Sequence, residues 1–498
     1  ATTDYGTRRD AMTLWYSFAR YRGSNPEAAR HFDCVVDPRD PTDMTRAMIS
    51  SRRRGPARGA DDFPQYYLTP RESRHVRGGH TVTVADILSR RRFEDVVLIC
   101  KANFDIKGIA DGDLYLSGYI EPGYVENHSV QIPYRALRPG ELENILVVGK
   151  AYSATHDALG LARMQRDLMA MGGAAGLAAA RAARNDEALS AIDVKALQKA
   201  LVALGVLSQA DLQAVRGVKD SELPELNEGE LRRMIDRLAG GRLDLEGEVG
   251  VLTRPKRSIP LLREALAKAG GKGKLAVARA LCFLADPGGA DVLLAEIDRQ
   301  LQAAGLPPKP FRMHHASPDH GYAPEICFLI NSLGRLGDAR VIPHMTEVAR
   351  RVKMDPAKSD VMFDYVFSVC HAAERLGDPA CVEALTILAD KPCIRGSVLP
   401  RRTDPRKTAS RQADRYAYLE LCAGRALARC GARRGYDIVL DYLRDARGFL
   451  ARSAHEELVA LSGRDLGYDG NAWRSWLSSA ELSPRPYRQG PRAGRSPQ

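Results

Sequence analysis

Four stretches of this sequence share one plan: "ARALCFLADPGGADVLLAEI" (278–297), "LINSLGRLGDARVIPHMTEV" (329–348), "CHAAERLGDPACVEALTIL" (370–388) and "CAGRALARCGARRGYDIVLDYL" (422–443). Each is an apolar helical run, a short turn and a second apolar run. Helices of this kind cannot bury their apolar faces alone, so successive pairs must stack. The turn residues Asp286, Asp338 and Asp378 lie 52 and 40 residues apart, and the longer interval holds an insertion over residues 303–321. This period predicts an all-α, HEAT-like solenoid over residues 255–465.

The remaining sequence sets outer limits. With 498 residues the chain has room for several domains. It is 44% hydrophobic and 27% charged, the composition of a soluble globular protein. No apolar run approaches the roughly 20 residues of a membrane span. The opening "ATTDYGTRRD" lacks the apolar core of an export signal and does not begin with Met, so processing or a longer parent chain is expected. Lys and Arg exceed Asp and Glu by 73 − 62 = 11. The basic clusters, such as "SRRRGPARG" (51–59) and "PRRTDPRKTASR" (400–411), lack the interleaved aromatics of a nucleic-acid platform. A solvated, Arg-rich surface is the expectation, without nucleic acid as partner. Nine cysteines without a CxxC pair predict reduced thiols and a cytoplasmic setting. "RMHHASPDHGY" (312–322) gathers His314, His315, Asp319 and His320, but the spacing matches no closed metal site and predicts a polar loop. The tail 483–498, rich in Pro, Arg and Gly, is expected to be disordered or extended.

Toward the N-terminus the pattern changes. "DVVLICKANFDI" (95–106), "DLYLSGYI" (113–120) and "HSVQIPYRAL" (128–137) have the β-branched and apolar content of strands. Ile145 to Val148 is a nearly all-apolar run, as expected of a strand covered on both faces in a parallel sheet. It ends at Gly149, where a backbone can pass close to a ligand. Ser153 and Thr155 supply hydroxyls in the loop beyond it, and the next helix offers free N–H groups and a positive dipole end. Gly172, Gly173 and Gly176 would let that helix lie tightly on a sheet. In 190–207, Val194, Leu197, Leu201 and Leu204 mark one helix face.

The stretch "IPYRALRPGELENILVVGKAYSATHDALGLARMQRDLMAMGGAAGLAAA" (132–180) resembles the C-terminal segment of FAD-dependent oxidoreductases of the glutathione-reductase type. "YYLTPRESRHVRGGHTVTVADIL" (66–88) resembles the same family's Arg-Glu-Ser-Arg segment. The resemblance covers about residues 60–205. It implies FAD as cofactor, with Gly149, Lys150, Ser153, Ala154, Thr155, Arg163 and Met164 bordering it. It implies His156, Arg71 and Arg74 as catalytic residues, and Glu72 and Arg135 on the substrate side. An Arg there would hold an anionic substrate or negative charge on reduced flavin, and His156 would exchange a proton. A structural ion-pair cluster is the other reading of Arg71, Glu72 and Arg74, and a loop hydrogen bond that of His156. Lys150 stands where the family usually has Arg.

The family opens with GxGxxG after a first strand, and no such loop is found here. "GKGKLA" (271–276) comes after a helical run inside the repeats and is rejected. The expected architecture is therefore α/β, a partial FAD-binding Rossmann-like domain with a strand-bearing substrate region, joined to an all-α solenoid. Its parts are a substrate or cap region (1–140), the FAD-binding segment (141–185), a helical linker (186–250), the repeats (255–465) and the tail. The expected function is FAD-dependent hydride transfer from an unidentified small molecule. The Rossmann half would come from a partner chain or from a missing part of the same chain. The alternative is a non-catalytic scaffold subunit built on a degenerate flavin fold.

Overall fold

The computed structural model describes residues 13–15, 33–35, 40–42, 45, 69–70, 75–104, 112–119, 123–213, 226–241, 245–308, 323–353, 360–403 and 411–487. The chain divides into two compact units: residues 1–6, 72–115 and 119–265 form the first, and 7–71, 116–118 and 266–498 the second. Three short strands, β1 (Thr13–Trp15), β2 (Asp33–Val35) and β3 (Thr69–Pro70), pair antiparallel in the order β2-β1-β3.

In the first unit, helix α1 (Val84–Leu88) begins at Thr83, whose side chain caps it. The Asp86 carboxylate returns the bond to the Thr83 amide, which completes a capping box. Strand β4 (Val96–Phe104) buries one face through Val96, Leu98, Cys100, Ala102 and Phe104, while the other face holds Val97, the half-buried Ile99 and Asn103 and the exposed Lys101. Helix α2 (Asp113–Leu116) replaces the strand expected over 113–120. Its Asp113, Leu114 and Leu116 are all buried, so the apolar residues serve one helical turn rather than alternate faces. Strand β5 (Gly123–Pro133) pairs antiparallel with β4, with register shifts near each end of the ribbon.

Next come α3 (His156–Leu159), α4 (Gln165–Asn185), α5 (Val194–Ala203), α6 (Gln209–Gln213), α7 (Glu228–Ala239), α8 (Leu245–Leu252) and α9 (Pro255–Lys268). Leu197 and Leu201 of α5 are buried as expected. Leu204 is not: it lies just past the last turn and is 68% exposed.

The expected strand at 145–148 is absent. The run is irregular, and its Val147 amide bonds to Leu137 O at 2.8 Å. A strand buried on both faces needs neighbours, and none is supplied among the described residues. Leu142, Ile145 and Val148 are 57, 45 and 37% exposed. Among the described residues the only parallel pairing is the single bridge between Val82 and Ala154. The described part of the first unit is thus an antiparallel ribbon with helices, not a parallel sheet.

The second unit holds helix pairs where the repeats predict them: α10 (Gly271–Phe283) with α11 (Ala290–Leu301), α12 (Glu325–Leu336) with α13 (Ile342–Arg351), α14 (Asp360–Leu376) with α15 (Val382–Ala389), and α16 (Arg411–Arg429) with α17 (Arg433–Tyr442). Helices α18 (Gly448–Ser462) and α19 (Gly470–Ser479) close the series. The first helices of successive pairs pack on one another from α10 through α18.

The repeated turn has one physical basis. Each first helix ends at a left-handed residue, namely Ala285, Gly337, Gly377 or Gly431, with φ of 61, 83, 58 and 82°. In three of the four the next residue is aspartate. Asp286, Asp338 and Asp378 accept from the amides of Gly288, Arg340 and Ala380 at 2.9, 3.1 and 2.9 Å, starting the second helix. Between α16 and α17 the backbones meet at Gly424 and Gly435: a Cβ on Gly424 would sit 2.5 Å from Ile438 Cγ2. "GKGKLA" opens α10 directly after α9, with no strand before it. Residues 483–487 of the expected tail run extended over helix ends, and the rest of that tail lies outside the described residues, as does the whole of "RMHHASPDHGY".

Candidate functional site

The stretch from β5 to α4 forms one knot of crossing segments. After Pro133 the chain turns through Tyr134–Ala136, and Asp95 binds that turn three times. Its carbonyl takes the Tyr134 amide at 2.7 Å, and its carboxylate takes the Arg135 amide at 3.0 Å and the Arg135 guanidinium at 2.6 Å. Arg135 also lies 5.4 Å from the centre of the Phe93 ring, as does Arg91 at 5.2 Å, while His80 tilts against that ring at 4.8 Å. Arg135, expected on the substrate side, is therefore held by Asp95 and Phe93.

His80 and Arg91 also converge on the buried Asp86, each at 3.0 Å. Burial alone would raise the Asp86 pKa. The hydrogen bond and charge of His80, the Thr83 amide and Arg91 outweigh it and hold the carboxyl below its ordinary 3.8.

Residues 149–155 enter beside the segment 76–82. The Val76 amide donates to Ala151 O, Val82 to Ser153 O, Thr155 to Val82 O and Ser153 to Ala136 O, at 2.9 to 3.0 Å. The Ser153 side chain is fully buried and shares a 3.0 Å hydrogen bond with Thr81. Ala154 is buried in the same crossing. The Thr155 hydroxyl caps α3, accepting from the Ala158 amide at 3.4 Å. These three expected cofactor contacts are thus occupied within the protein. His156 starts α3 and is half-buried.

Gly149 behaves differently. Its φ is +73°, and a Cβ there would meet nothing within 4 Å. It stands in open space beside the half-exposed Lys150. Arg163 is buried, and Met164 is the N-cap of α4. No side chain among the described residues caps that helix. The Asp167 and Leu168 amides both turn back to Met164 O, and those of Gln165 and Arg166 have no acceptor among the described residues.

Helix α4 presents two unlike faces. Met171, Ala174, Ala175, Ala178 and Ala182 are buried, and the helix packs on β4. Gly173 and Gly176 lie on the other side with Met169, which is 77% exposed. A Cβ on Gly172, Gly173 or Gly176 would meet nothing within 4 Å. The glycines do not press the helix onto a sheet, as expected; they leave a bare face.

Two residues outside the expected set lie beneath the start of α4. Tyr152 is fully buried and Asp167 is 6% exposed. The Tyr152 hydroxyl and Asp167 Oδ2 have no hydrogen-bond partner among the described residues. Burial pushes both groups toward their neutral forms: Tyr152 well above 10, helped by Cys100 and Asp167, and Asp167 above 3.8 despite Arg166. The sequence signal for Asp167 was its place in the first helical turn, where a carboxylate meets the positive dipole end. Tyr152 carried none. Arg71, Glu72 and Arg74 lie outside the described residues.

Residues 62–201 match the family of FAD dependent oxidoreductases. That stretch contains both the Arg-Glu-Ser-Arg segment and the knot around Gly149, and FAD is the cofactor the match implies. No curated protein and no solved structure is similar enough to count as a match. The geometry fits one wall of a flavin site, with an open glycine at 149, an uncapped helix start at 165 and 166, and buried polar atoms without partners beneath it. Among the described residues no helix is long and apolar enough to cross a membrane, and no three His, Cys, Asp or Glu side chains gather as metal ligands would.

Proposed function

We propose that this chain is part of an FAD-dependent oxidoreductase of the glutathione-reductase type, with HEAT-like repeats in its second unit. The observation that carries the reading is the coincidence of the family match with an open, uncapped helix start beside Gly149. When bound, the flavin takes up a hydride from a small-molecule substrate.

The protein's part is to bind and orient. The Gln165 and Arg166 amides receive a carbonyl or phosphate oxygen at the positive end of α4, and Gly149 lets the ligand approach the backbone. Lys150, Arg163 and Met164 border the same place. His156 exchanges a proton, and Arg71, Arg74 and Glu72 face the substrate. Arg135 acts as a positioning residue through Asp95. The dinucleotide loop comes from a partner chain or from further sequence of the same polypeptide, and the exposed Leu142, Ile145 and Val148 are the surface that it would cover.

The test is a visible absorption spectrum of the natively purified protein, with mass spectrometry of every chain present. A flavin spectrum together with a sequence containing GxGxxG supports the reading. A folded protein with no flavin, and none taken up from added FAD, overturns it. That outcome would favour a scaffold subunit, for which one observation already speaks: the Ser153 and Thr155 hydroxyls are spent inside the fold.

A further inference from the structure

Three inner helices of the second unit end along one edge, and residues 483–487, "SPRPY", cross those ends. The last four carbonyls of a helix lack partners within it. Here the strap supplies them. The Arg485 amide donates to Arg429 O at the end of α16, and the Tyr487 amide to Glu374 O at the end of α14, both at 2.7 Å. The Arg485 guanidinium donates to Leu461 O at the end of α18. In return the Arg429 guanidinium donates to Arg485 O at 3.2 Å.

The side chains show recognition in the same alternation. Pro484 and Pro486 have no N–H to place, and they occupy the positions flanking and between the two donating amides. Each rests on a turn glycine. A Cβ on Gly431 would lie 3.2 Å from Pro484 N, and one on Gly377 would lie 2.6 Å from Pro486 Cα. The Tyr487 ring lies under the guanidinium groups of Arg375 and Arg429, at 6.0 and 5.5 Å. Arg375 and Arg429 each stand two residues before a left-handed glycine, as does Arg335, which covers Phe283 at 4.2 Å. The edge thus repeats an arginine that takes an aromatic ring two residues before a left-handed glycine, and at Gly377 and Gly431 that glycine admits a proline.

The strap is held on the surface. Ser483, Pro484 and Arg485 are exposed, and Pro486 and Tyr487 are half-buried. Lifting it breaks a few hydrogen bonds and uncovers one ring and the buried Arg429 guanidinium, while three of its five residues already face solvent, so it can open locally.

We propose that this edge is a peptide-recognition groove for an extended segment with prolines at alternate positions and an aromatic residue after the second. The occupant is a partner protein carrying such a segment, and residues 483–487 fill the groove until it is displaced.

The test uses the chain ending at Leu482 and a labelled peptide of residues 483–489, with binding followed by fluorescence anisotropy. The shortened chain binds the peptide saturably, and the intact chain binds it about tenfold more weakly or not at all. Peptides with Tyr487→Ala or Pro486→Ala lose about tenfold in affinity. A shortened chain that unfolds cooperatively but ignores the peptide, or binds a scrambled one equally, overturns the proposal. If the shortened chain does not fold, hydrogen exchange in the intact chain decides. Release of the Arg485 and Tyr487 amides far faster than those of α16 supports a displaceable strap. Exchange only with global unfolding overturns it.

Discussion

Glycine does opposite things where helices of the second unit cross and along α4 of the first. In the second, Gly435 and Gly424 let α16 and α17 touch backbone to backbone, and Gly334 lets α12 meet α14, with no room for a methyl group. In the first, Gly149, Gly172, Gly173 and Gly176 face open space. The same residue marks a completed contact in one place and an uncovered surface in the other. The buried charges differ in the same sense. Arg425, 1% exposed, is paired with two buried carboxylates, Glu374 at 3.1 Å and Glu457 at 3.8 Å, although its Nε and Nη1 have no hydrogen-bond partner among the described residues, while Asp167 has one cation, the exposed Arg166 at 3.2 Å, and one oxygen without a hydrogen-bond partner among those residues. A glycine-rich helix therefore says little about function until its neighbours are known.

The largest effect that would break this contrast is expected at Arg425. Arg425→Ala takes the cation from the buried Glu374, leaves Glu457 to Arg429 at 2.5 Å, and should cost about 3–5 kcal/mol in thermal or denaturant unfolding. A cost near zero would mean that the two ion pairs of Arg425 add nothing net to the fold. Gly435→Ala forces a methyl group into the backbone of α16 and should cost about 1–3 kcal/mol by the same measurement.

Asp167→Asn should act in the opposite direction. Because its folded pKa is raised, ionisation disfavours the fold, so stability falls as pH rises from 3.8 through the raised value. The amide should stabilise the chain by about 1 kcal/mol at neutral pH, and the gain should vanish below 3.8. A pH series of melting temperatures that runs parallel for the two proteins would refute this.

Gly173→Ala gives the smallest effect and the sharpest comparison. In the chain alone it should add about 0.5–1 kcal/mol, since helix propensity rises and nothing is displaced. If the same change weakens the uptake of FAD, followed by flavin fluorescence, the bare face is a contact surface of the assembled protein. If uptake is unchanged, it is not.

The helix pairs of the second unit were legible because their signal is local. Asp286, Asp338 and Asp378 bond to amides two residues on, so spacing along the chain reports spacing in the fold. The knot was legible as a family pattern, but its bonding was not. Arg135 is claimed by Asp95, 40 residues earlier, and Ser153 by Thr81, 72 residues earlier. No motif records such a partner. Ile145–Val148 misled for a related reason: an apolar run reads alike whether or not neighbours cover it. An extended course was one of the two readings of the tail's composition, but its contacts were not legible, since the backbone amides of Arg485 and Tyr487 do the binding.

The edge arginine of α12 also bears on the order in which the molecule is made. Arg335 grips Phe283, which leaves the ribosome 52 residues sooner. A newly emerging repeat therefore meets a finished surface and has no need to wait for later repeats. Residues 483–487 come after every helix end they touch, so a chain halted before them exposes that edge until synthesis resumes.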